Sequence, residues 1–388
     1  MKLKQRPDDF QVEEVTDVVP AQSGAFALYR LEKTGWSTPD ALAAVRRRWG
    51  IEPRRLAYGG LKDRHAHTVQ YLTIFHGPRR GLHHQAVTVN YLGQVPAPYD
   101  SQAIRCNRFR LTLRDLDEAA CANVGARLEA VRGDGVPNYY DDQRFGSVAG
   151  AGQEFVGRLL VRGRYEDALR QALLAPYEFD RAPQKREKQL LAAHWGDWPK
   201  CVEVLPRGHA RSLSDYLRVH PGDFKGAVIR LRPELRGLYL SVYQSHLWNR
   251  MLARWLREHC RPEQLRDVEL RLGAVPFPTG LDDGQRQELA ALNLPLPSAR
   301  LKLEAGHVLA PLIEAVLAEE GLTLRDMQVR GVRDLFFSRG ERAASCLPAG
   351  LTAQFAADEL RADRQKLVLA FELPRGCYAT IVVKALTT

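Results

Sequence analysis

The chain has 388 residues, of which 45% are hydrophobic and 26% are charged, and its formal net charge is +10. This length predicts two domains, and the composition is typical of a globular protein rather than a disordered or fibrous one. The excess of positive charge favours a polyanionic partner, either a nucleic acid or an anionic membrane surface.

Three features of the sequence bear on the compartment. No apolar run approaches the roughly 20 residues that span a bilayer, and the first seven residues (M-K-L-K-Q-R-P) lack the apolar core of a signal peptide. The six cysteines are scattered without paired spacing, which indicates neither a zinc site nor a disulfide framework. We therefore expect a protein of the reducing cytoplasm that does not span a membrane.

The N-terminal part predicts strands and one clearly marked helix. Alternating apolar and polar residues predict strands near residues 4–15 and 25–31. Thr38 is the expected N-cap of the next helix, with Pro39 at its first position, and Gly50 is expected to end it.

Residues 58–70 (Y-G-G-L-K-D-R-H-A-H-T-V-Q) form the first unusual stretch. Its two glycines allow a tight turn or a close backbone approach, and Asp63 follows between Lys62 and Arg64, just before a predicted strand at residues 68–75. A carboxylate beside cations at the mouth of a strand is a suitable position for a reactive group. The alternative is a surface turn whose charged side chains are simply solvated.

The remaining periodic segments predict an alternation of strands and helices. The strands are expected at residues 85–91, 108–114 and 367–373 and the helices at residues 117–132, 155–175 and 242–252. Arg108, Arg110 and Arg114 share one face of their strand, which predicts either a solvated basic face or a stripe that binds phosphates.

Residues 135–146 (G-V-P-N-Y-Y-D-D-Q-R-F-G) form the second unusual stretch. They place Asn, Gln, Arg and three aromatic side chains in one segment bounded by Gly and Pro. Such side chains stack on an unpaired base and form hydrogen bonds with its edges. The alternative is an aromatic-rich turn packed against the core.

Together these stretches resemble the TruD family of tRNA pseudouridine synthases. The family's nucleophile motif, G-x-K-D-x-x-A-x-T-x-Q, is similar to residues 60–70 at every specified place. Its second motif, N-Y-F-G-x-Q-R-F-G, is similar to residues 138–146, except that Tyr140 stands for Phe and Asp141 stands for Gly. Shorter similarities at residues 4–10, 243–249 and 373–380 extend the resemblance along the chain.

The resemblance implies that a uridine in tRNA, at position 13 of the D arm, is isomerised to pseudouridine. The N-glycosidic bond breaks, the uracil turns, and a carbon–carbon bond forms at the same sugar carbon. Asp63 would be the catalytic carboxylate, which either attacks the sugar or removes a proton to give a glycal. Lys4, Lys62 and Arg64 are the candidates for the cation that pairs with it.

The resemblance also implies the residues that bind the flipped nucleotide and the partners of the protein. The expected substrate-binding residues are Phe10, Asn138, Tyr140, Tyr378 and Lys4. The buried hydroxyl of Tyr140 would need a polar partner, and Asp141 would either face solvent or pair with an arginine. No metal, no organic cofactor and no obligate protein partner are implied, and we expect a monomer that binds tRNA.

The implied fold is α+β, with a central, mostly antiparallel sheet flanked by helices. The resemblance predicts a pseudouridine-synthase catalytic domain at residues 1–155 and 326–388 and an inserted, family-specific α+β domain at residues 156–325, with RNA in a basic cleft between them. A non-catalytic RNA-binding or RNA-remodelling protein is the alternative, but binding alone needs no carboxylate among phosphates. An aspartate-dependent glycosidase would need a second catalytic carboxylate, which the matched motifs do not offer.

Overall fold

The computed structural model describes residues 1–146, 148, 152–177, 180–304, 306–332 and 334–388. It divides into two compact units, one formed by Met1–Val136 with Cys346–Thr388 and the other by Pro137–Ser345. In the described ranges, no helix combines the length and the apolar character that a membrane span requires. The insertion of a family-specific domain at residues 156–325 stays a prediction, since compactness alone does not define such a segment.

The secondary structure alternates strands and helices in the first unit and is mainly helical in the second. The strands are β1 (Phe10–Thr16), β2 (Phe26–Thr34), β3 (Leu56–Tyr58), β4 (His67–Phe75), β5 (Leu82–His84), β6 (Val87–Val95), β7 (Ile104–Leu116), β8 (Val136–Pro137), β9 (Leu265–Leu270), β10 (Gly273–Pro278), β11 (Asn293–Pro295), β12 (Glu341–Ala343), β13 (Ser345–Cys346), β14 (Ala349–Ala357) and β15 (Gln365–Pro374). The α-helices are α1 (Thr38–Trp49), α2 (Glu118–Asp134), α3 (Val156–Val161), α4 (Tyr165–Leu174), α5 (Ala182–Ala193), α6 (Trp198–Val204), α7 (His209–Val219), α8 (Phe224–Ile229), α9 (Pro233–His259), α10 (Asp283–Ala291), α11 (Ala310–Glu319) and α12 (Ala379–Thr387).

One large sheet forms the first unit. Its strand order is β14-β15-β7-β1-β4-β2-β6-β5, and β3 pairs with β4. β1 and β4 are parallel, and the other neighbouring pairs are antiparallel. On one face, buried residues of α1 such as Leu42 and Val45 pack against Tyr29, Leu31 and Leu72. The predicted α+β fold with a mostly antiparallel sheet is therefore confirmed.

The start of α1 differs from the prediction by one residue. Ser37 is the N-cap, and its hydroxyl accepts a 3.2 Å hydrogen bond from the backbone N–H of Asp40. Thr38 is already helical and fully buried. Its hydroxyl does not cap the helix because it forms hydrogen bonds with Gln70 and Lys62 instead. Gly50 ends the helix as predicted, with a φ of 63° in the left-handed region that favours glycine.

The prediction that the basic face of β7 is solvated is wrong for Arg114, whose side chain is buried and only 4% exposed. Its guanidinium pairs with Asp9 at 2.8 Å and with Asp358 at 2.9 Å. The next residue, Asp115, has a φ of 62°, and the register of β7 with β15 shifts at this point. Such a bulge redirects a side chain, so Arg114 turns inward while Arg108 remains exposed.

The second unit is organised around the long helix α9. A broad apolar face of α9, which includes Leu247, Trp248 and Met251, is fully buried. Two small sheets, β9 with β10 and β11 with β12, accompany the helices. The single helix predicted at residues 155–175 is two helices, α3 and α4, because Gly163 adopts a φ of 71° between them.

Candidate active site

Asp63 lies in the loop between β3 and β4, where three strands meet. His67 at the start of β4 pairs with Gln11 of β1 and with Thr34 of β2. The loop therefore lies beside the segment that precedes β1 and beside the end of β2. Gly59 packs closely there, because a Cβ atom would lie 2.6 Å from Cδ1 of Ile104, whose side chain would have to shift.

Two buried side chains fix the backbone just before Asp63. The hydroxyl of Thr38 accepts a 3.0 Å hydrogen bond from the N–H of Lys62 and donates a 2.9 Å hydrogen bond to Oε1 of Gln70. Nε2 of Gln70 donates to the carbonyl oxygen of Gly60 at 3.1 Å. Thr38 of α1 and Gln70 of β4 are both fully buried. The turn is therefore attached to a helix and a strand of the packed core.

Lys4 is the cation that pairs with Asp63. Its Nζ donates to Oδ2 of Asp63 at 2.5 Å. Lys62 instead lies 3.0 Å from Oε1 of the buried Glu14 and donates to Asn107 at 2.6 Å. Arg64 is exposed. The choice among three cations, which the sequence leaves open, is decided by these contacts.

The Lys4–Asp63 pair is partly open to solvent, with the two side chains 20% and 38% exposed. Lys4 has a φ of 58°, in the left-handed region that a lysine rarely adopts. Strain of this kind persists where the surrounding structure imposes it, often at functional sites. Nζ of Lys4 also lies 4.0 Å from the ring centroid of Phe10, which is 4% exposed. Phe10 thus lies directly beside the ion pair.

A second lysine contacts the backbone of Asp63. Nζ of Lys33 donates to the carbonyl oxygen of Asp63 at 2.9 Å and to that of Trp36 at 2.7 Å. Lys33 is completely buried, and its burial lowers its pKa to about 8; the negative charge of Asp63 raises this pKa, and the charge of Lys62 lowers it.

The other expected nucleotide contact in the first unit is Tyr378. It is half-buried at the N-cap of α12. Lys4, Phe10, Asp63 and Tyr378 therefore all belong to the first unit, and Lys4 contacts both Phe10 and Asp63.

Asn138 belongs to the second unit, where its amide forms hydrogen bonds through both Nδ2 and Oδ1. Nδ2 donates to the carbonyl oxygen of Ala343 at 3.0 Å, and Oδ1 accepts from Arg342 at 2.7 Å. The side chain is buried, with 4% exposure. Its direct contact with a nucleotide stays a prediction, and in this structure it positions Arg342.

Tyr140, also in the second unit, is held by α9. Its N–H donates to Oδ1 of Asn249 and its carbonyl oxygen accepts from Nδ2 of the same amide, both at 2.8 Å. The ring meets Trp248 edge to face at 5.5 Å, and the guanidinium of Arg342 lies 4.2 Å from the ring centroid. Asp141 is 2% exposed, which excludes the solvent-facing alternative for this residue.

No contact within these clusters was predicted for Lys33, Thr38, Gln70, Asn249 or Arg342, although Thr38 was the expected N-cap and Gln70 and Asn249 lie in segments that resemble the family. A signal for Lys33 is present in the sequence, because Ala27, Tyr29, Leu31 and Lys33 share one face of β2 by their spacing of two. The three apolar residues are fully buried, and a lysine in series with them is therefore buried too. The contacts of Asn249 with Tyr140 and of Arg342 with Asn138 lack such a signal, because the paired residues are 109 and 204 positions apart along the chain.

Within the described part of the chain, no group of three or more His, Cys, Asp and Glu side chains is arranged to hold a metal ion. The chemistry available at Asp63 is that of an ionised carboxylate beside an ammonium ion, next to an aromatic ring. A carboxylate so placed can stabilise or trap an electron-poor sugar carbon.

Comparison with known proteins identifies one family along most of the chain. The family described as tRNA pseudouridine synthase D (TruD) matches residues 1–269 and 279–386. The chain is 28% identical to a probable tRNA pseudouridine synthase D 1 of Methanococcus maripaludis, over 99% of this chain and 98% of that protein. It is 27% identical to a tRNA pseudouridine synthase D of Aquifex aeolicus, over 100% of this chain and 98% of that protein.

A solved structure shows the same fold. The crystal structure of a putative tRNA pseudouridine synthase D from Methanosarcina mazei aligns with a TM-score of 0.73 and 23% identity, over 100% of this chain and 93% of that one. The chain therefore belongs to the TruD family of tRNA pseudouridine synthases, isomerases that convert uridine in tRNA to pseudouridine.

Proposed function

We propose that this enzyme acts on uridine 13 in the D arm of tRNA and that Asp63 is its catalytic carboxylate. One observation carries the catalytic assignment. The carboxylate of Asp63 is 38% exposed and is held by Lys4 at 2.5 Å, on a turn whose backbone is fixed by buried side chains. The position in tRNA rests on the resemblance of residues 60–70 and 138–146 to the family's motifs.

The reaction requires a negative charge beside the sugar. As the bond from N1 of uracil to C1′ breaks, the sugar becomes electron-poor, and Asp63 either traps it or removes a proton from the sugar to give a glycal. The uracil then turns and C5 bonds to C1′, which displaces the Asp63 carboxylate in the first route and is accompanied by return of the removed proton to the sugar in the second. The proton on C5 leaves and N1 gains a proton, so the product is an isomer of the substrate. Both routes use the carboxylate of Asp63, and Nζ of Lys4 is the group that holds it in place.

The target uridine must leave its stack to reach Asp63. We propose that Phe10 and Tyr378 of the first unit hold the flipped nucleotide by aromatic contact. We also propose that Tyr140 and Asn138 of the second unit bind the RNA substrate, Asn138 directly or through Arg342. The guanidinium of Arg342, 4.2 Å from the Tyr140 ring centroid, is suited to a phosphate or a stacked base. The basic net charge of the chain supports binding along the tRNA backbone.

We also propose that the enzyme works as a monomer in the cytoplasm. The six cysteines are free, which suits a reducing compartment. Light scattering of the purified protein, alone and with one equivalent of tRNA, measures the oligomeric state, and a mass of two chains would contradict the monomer.

The catalytic assignment is tested with an unmodified tRNA transcript. Pseudouridine is mapped by carbodiimide labelling and primer extension after incubation with wild type, Asp63→Ala or Asp63→Asn. Wild type should give one stop, at uridine 13, and both variants none. A transcript with cytidine at position 13 serves as the substrate control, and filter binding of Asp63→Asn to tRNA shows that the variant is folded.

The outcomes separate the two parts of the proposal. Modification by Asp63→Ala would overturn the role of Asp63. Modification by wild type at another uridine, with Asp63 still required, would overturn only the position.

A further inference from the structure

Lys33 is an unusual residue in the core of the first unit. It occupies the inward-facing series of β2 after Ala27, Tyr29 and Leu31, and it is completely buried. Burying a lysine is costly unless its ammonium ion has partners. The partners here are two backbone carbonyl oxygens, so the lysine is stabilised by hydrogen bonds rather than by a buried ion pair.

The two carbonyl groups belong to different segments. Trp36 lies in the loop between β2 and α1, and its carbonyl oxygen is 2.7 Å from Nζ of Lys33. Asp63 lies in the loop between β3 and β4, and its carbonyl oxygen is 2.9 Å from the same nitrogen. One ammonium ion therefore joins the two loops, and one of them carries the proposed catalytic carboxylate.

The charges around Lys33 come from the neighbouring elements. Asp63 and Lys62 of the β3–β4 loop act on it directly. In the next layer, Lys4 pairs with Asp63 and Glu14 of β1 pairs with Lys62. Two lysines thus approach Asp63 from different sides, Lys4 at its carboxylate and Lys33 at its carbonyl oxygen.

A charged side chain is not needed merely to satisfy two carbonyl oxygens, since neutral donors such as amides do this at lower desolvation cost. A charged donor beside Asp63 has a further effect, because the positive charge of Lys33 and the negative charge of Asp63 attract each other.

We infer that Lys33 is a positioning residue for the reaction: its ammonium ion holds the Asp63 backbone so that the carboxylate faces the substrate and supports the carboxylate's negative charge. The inference rests on the proposed role of Asp63. Lys33 is fully buried, so it acts through Asp63 and not by contact with RNA.

This role has a consequence for the dependence of the rate on pH. Burial lowers the pKa of Lys33 to about 8. As the pH rises through this value, the ammonium ion becomes a neutral amine, which keeps two N–H donors but loses its charge. The rate constant of the chemical step should therefore decline between about pH 7.5 and 9.

The experiment compares wild type with Lys33→Met and Lys33→Arg in single-turnover and steady-state assays from pH 6 to 9. Lys33→Met should lower kcat by about 10²-fold, which is the effect of a small misplacement of a catalytic group. It should leave KM for tRNA within about twofold, because the buried Lys33 side chain does not contact RNA. The rate of this variant should also no longer decline between pH 7.5 and 9. Lys33→Arg keeps a charge that does not titrate in this range, so it should retain more activity than Lys33→Met and show no decline.

Lys366→Met is the matched control, because Lys366 is a lysine of the same unit that pairs with the exposed Glu359. It should keep both the wild-type kcat and the alkaline decline, which also separates Lys33 from any titration of the tRNA.

The results that would overturn the inference are specific. If the rate of wild type does not decline between pH 7.5 and 9, the inference is overturned even if the variants fail to fold. A Lys33→Met enzyme with the wild-type kcat also overturns it. An equal loss of activity and melting temperature in both Lys33 variants, with the decline unchanged, points to a purely structural role and also overturns it. Asp63→Asn, tested in the same assays, separates this inference from the proposed function. If one of these Lys33 results is found while Asp63→Asn is inactive, only the inference on Lys33 is overturned. If Asp63→Asn is active, the proposed role of Asp63 is itself overturned.

Discussion

The hydroxyl of Thr38 donates a 2.9 Å hydrogen bond to Oε1 of Gln70 and so joins the first turn of α1 to β4. The same hydroxyl accepts from the N–H of Lys62, next to Asp63. Ser37, its neighbour, caps the helix. Two adjacent hydroxyl side chains thus have separate tasks, one for the helix and one for the turn that carries Asp63.

Replacing each hydroxyl separately should distinguish these tasks. Thr38→Val keeps the shape but leaves Lys62 N–H and Gln70 Oε1 without their partner, at a cost of about 1–3 kcal/mol for each buried group. We expect it to lower both stability and kcat, the latter by about tenfold or more, because the turn is displaced. Ser37→Ala should cost about 1 kcal/mol of stability and leave kcat unchanged. Urea unfolding and initial rates measure both, and equal kcat values for the two variants would contradict this assignment.

The ion pair of Lys4 with Asp63 predicts a loss of kcat when the cation is removed. Lys4→Met should reduce kcat by about 10²-fold, comparable to the loss of one electrostatic partner in an active site. Lys4→Arg keeps the charge and should retain more activity, although its geometry differs. The rate of pseudouridine formation at saturating tRNA measures the effect. Equal losses in the two variants would show that the charge is not what matters.

The ring of Tyr140, rather than its hydroxyl, should matter for the substrate. Tyr140→Phe keeps the ring that contacts Trp248 and Arg342 and should stay within about threefold of wild type in kcat/KM. Tyr140→Ala should lose about 1–3 kcal/mol of transition-state binding, if the ring stacks on a base. A Trp248 variant cannot serve as a control for this experiment, because Trp248 is fully buried and its replacement would change the stability of the core. A Tyr140→Ala enzyme with the wild-type kcat/KM would remove Tyr140 from the binding site.

Removal of Arg114 should destabilise the first unit strongly. Arg114→Met leaves the carboxylates of Asp9 and Asp358 buried without their cation, which costs about 3–5 kcal/mol. The pKa of Asp358 lies below its usual value: burial raises it, but hydrogen bonds from the N–H groups of Leu360 and Asp115 and from Arg114 outweigh that effect. A carboxyl group with a lowered pKa stabilises the fold above the unfolded-state pKa and loses that contribution as the pH falls.

The difference in melting temperature between wild type and Arg114→Met should therefore be largest near neutral pH and should narrow below about pH 4. Thermal unfolding in a pH series measures it. A difference that is constant from pH 7 to pH 3 would contradict the ion-pair explanation. Arg108→Met is the control, since Arg108 pairs with Glu372 on the exposed side of the same strand, and exposed pairs contribute little.

His246 of α9 should make the stability of the second unit depend on pH. Burial, assisted by the charge of Arg250, lowers the pKa of this imidazole to about 4. The unfolded chain takes up a proton near pH 6.5 and the folded chain does not until about pH 4, so the free energy of unfolding should fall by up to about 3 kcal/mol across this window as the pH drops. His246→Gln should lack this loss. Urea unfolding at pH 7, 5.5 and 4.5 checks the prediction, and parallel curves for both proteins would contradict it.

Local patterns in the sequence were sufficient for much of the fold. Period-two alternation located the strands that contain Thr68–Gln70 and Phe109–Leu113, and the periodic apolar face around Trp248 located the centre of α9. The predictions failed where tertiary contacts override local preference. Thr38 is a good N-cap by type, but its hydroxyl is taken by Lys62 and Gln70, and Arg114 is turned inward by a bulge that periodicity does not reveal.

Residue types at short spacing were enough to predict the turn that carries Asp63, the family and the set of candidate cations. Which cation meets the carboxylate depends on contacts between distant segments. Lys4 and Asp63 are 59 residues apart and Lys33 and Asp63 are 30 apart, and the parallel pairing of β1 with β4 and the antiparallel pairing of β2 with β4 bring them together. The register of a sheet follows from packing over the whole unit, so spacing along the chain cannot show that Lys62 binds Glu14 while Lys4 and Lys33 hold Asp63.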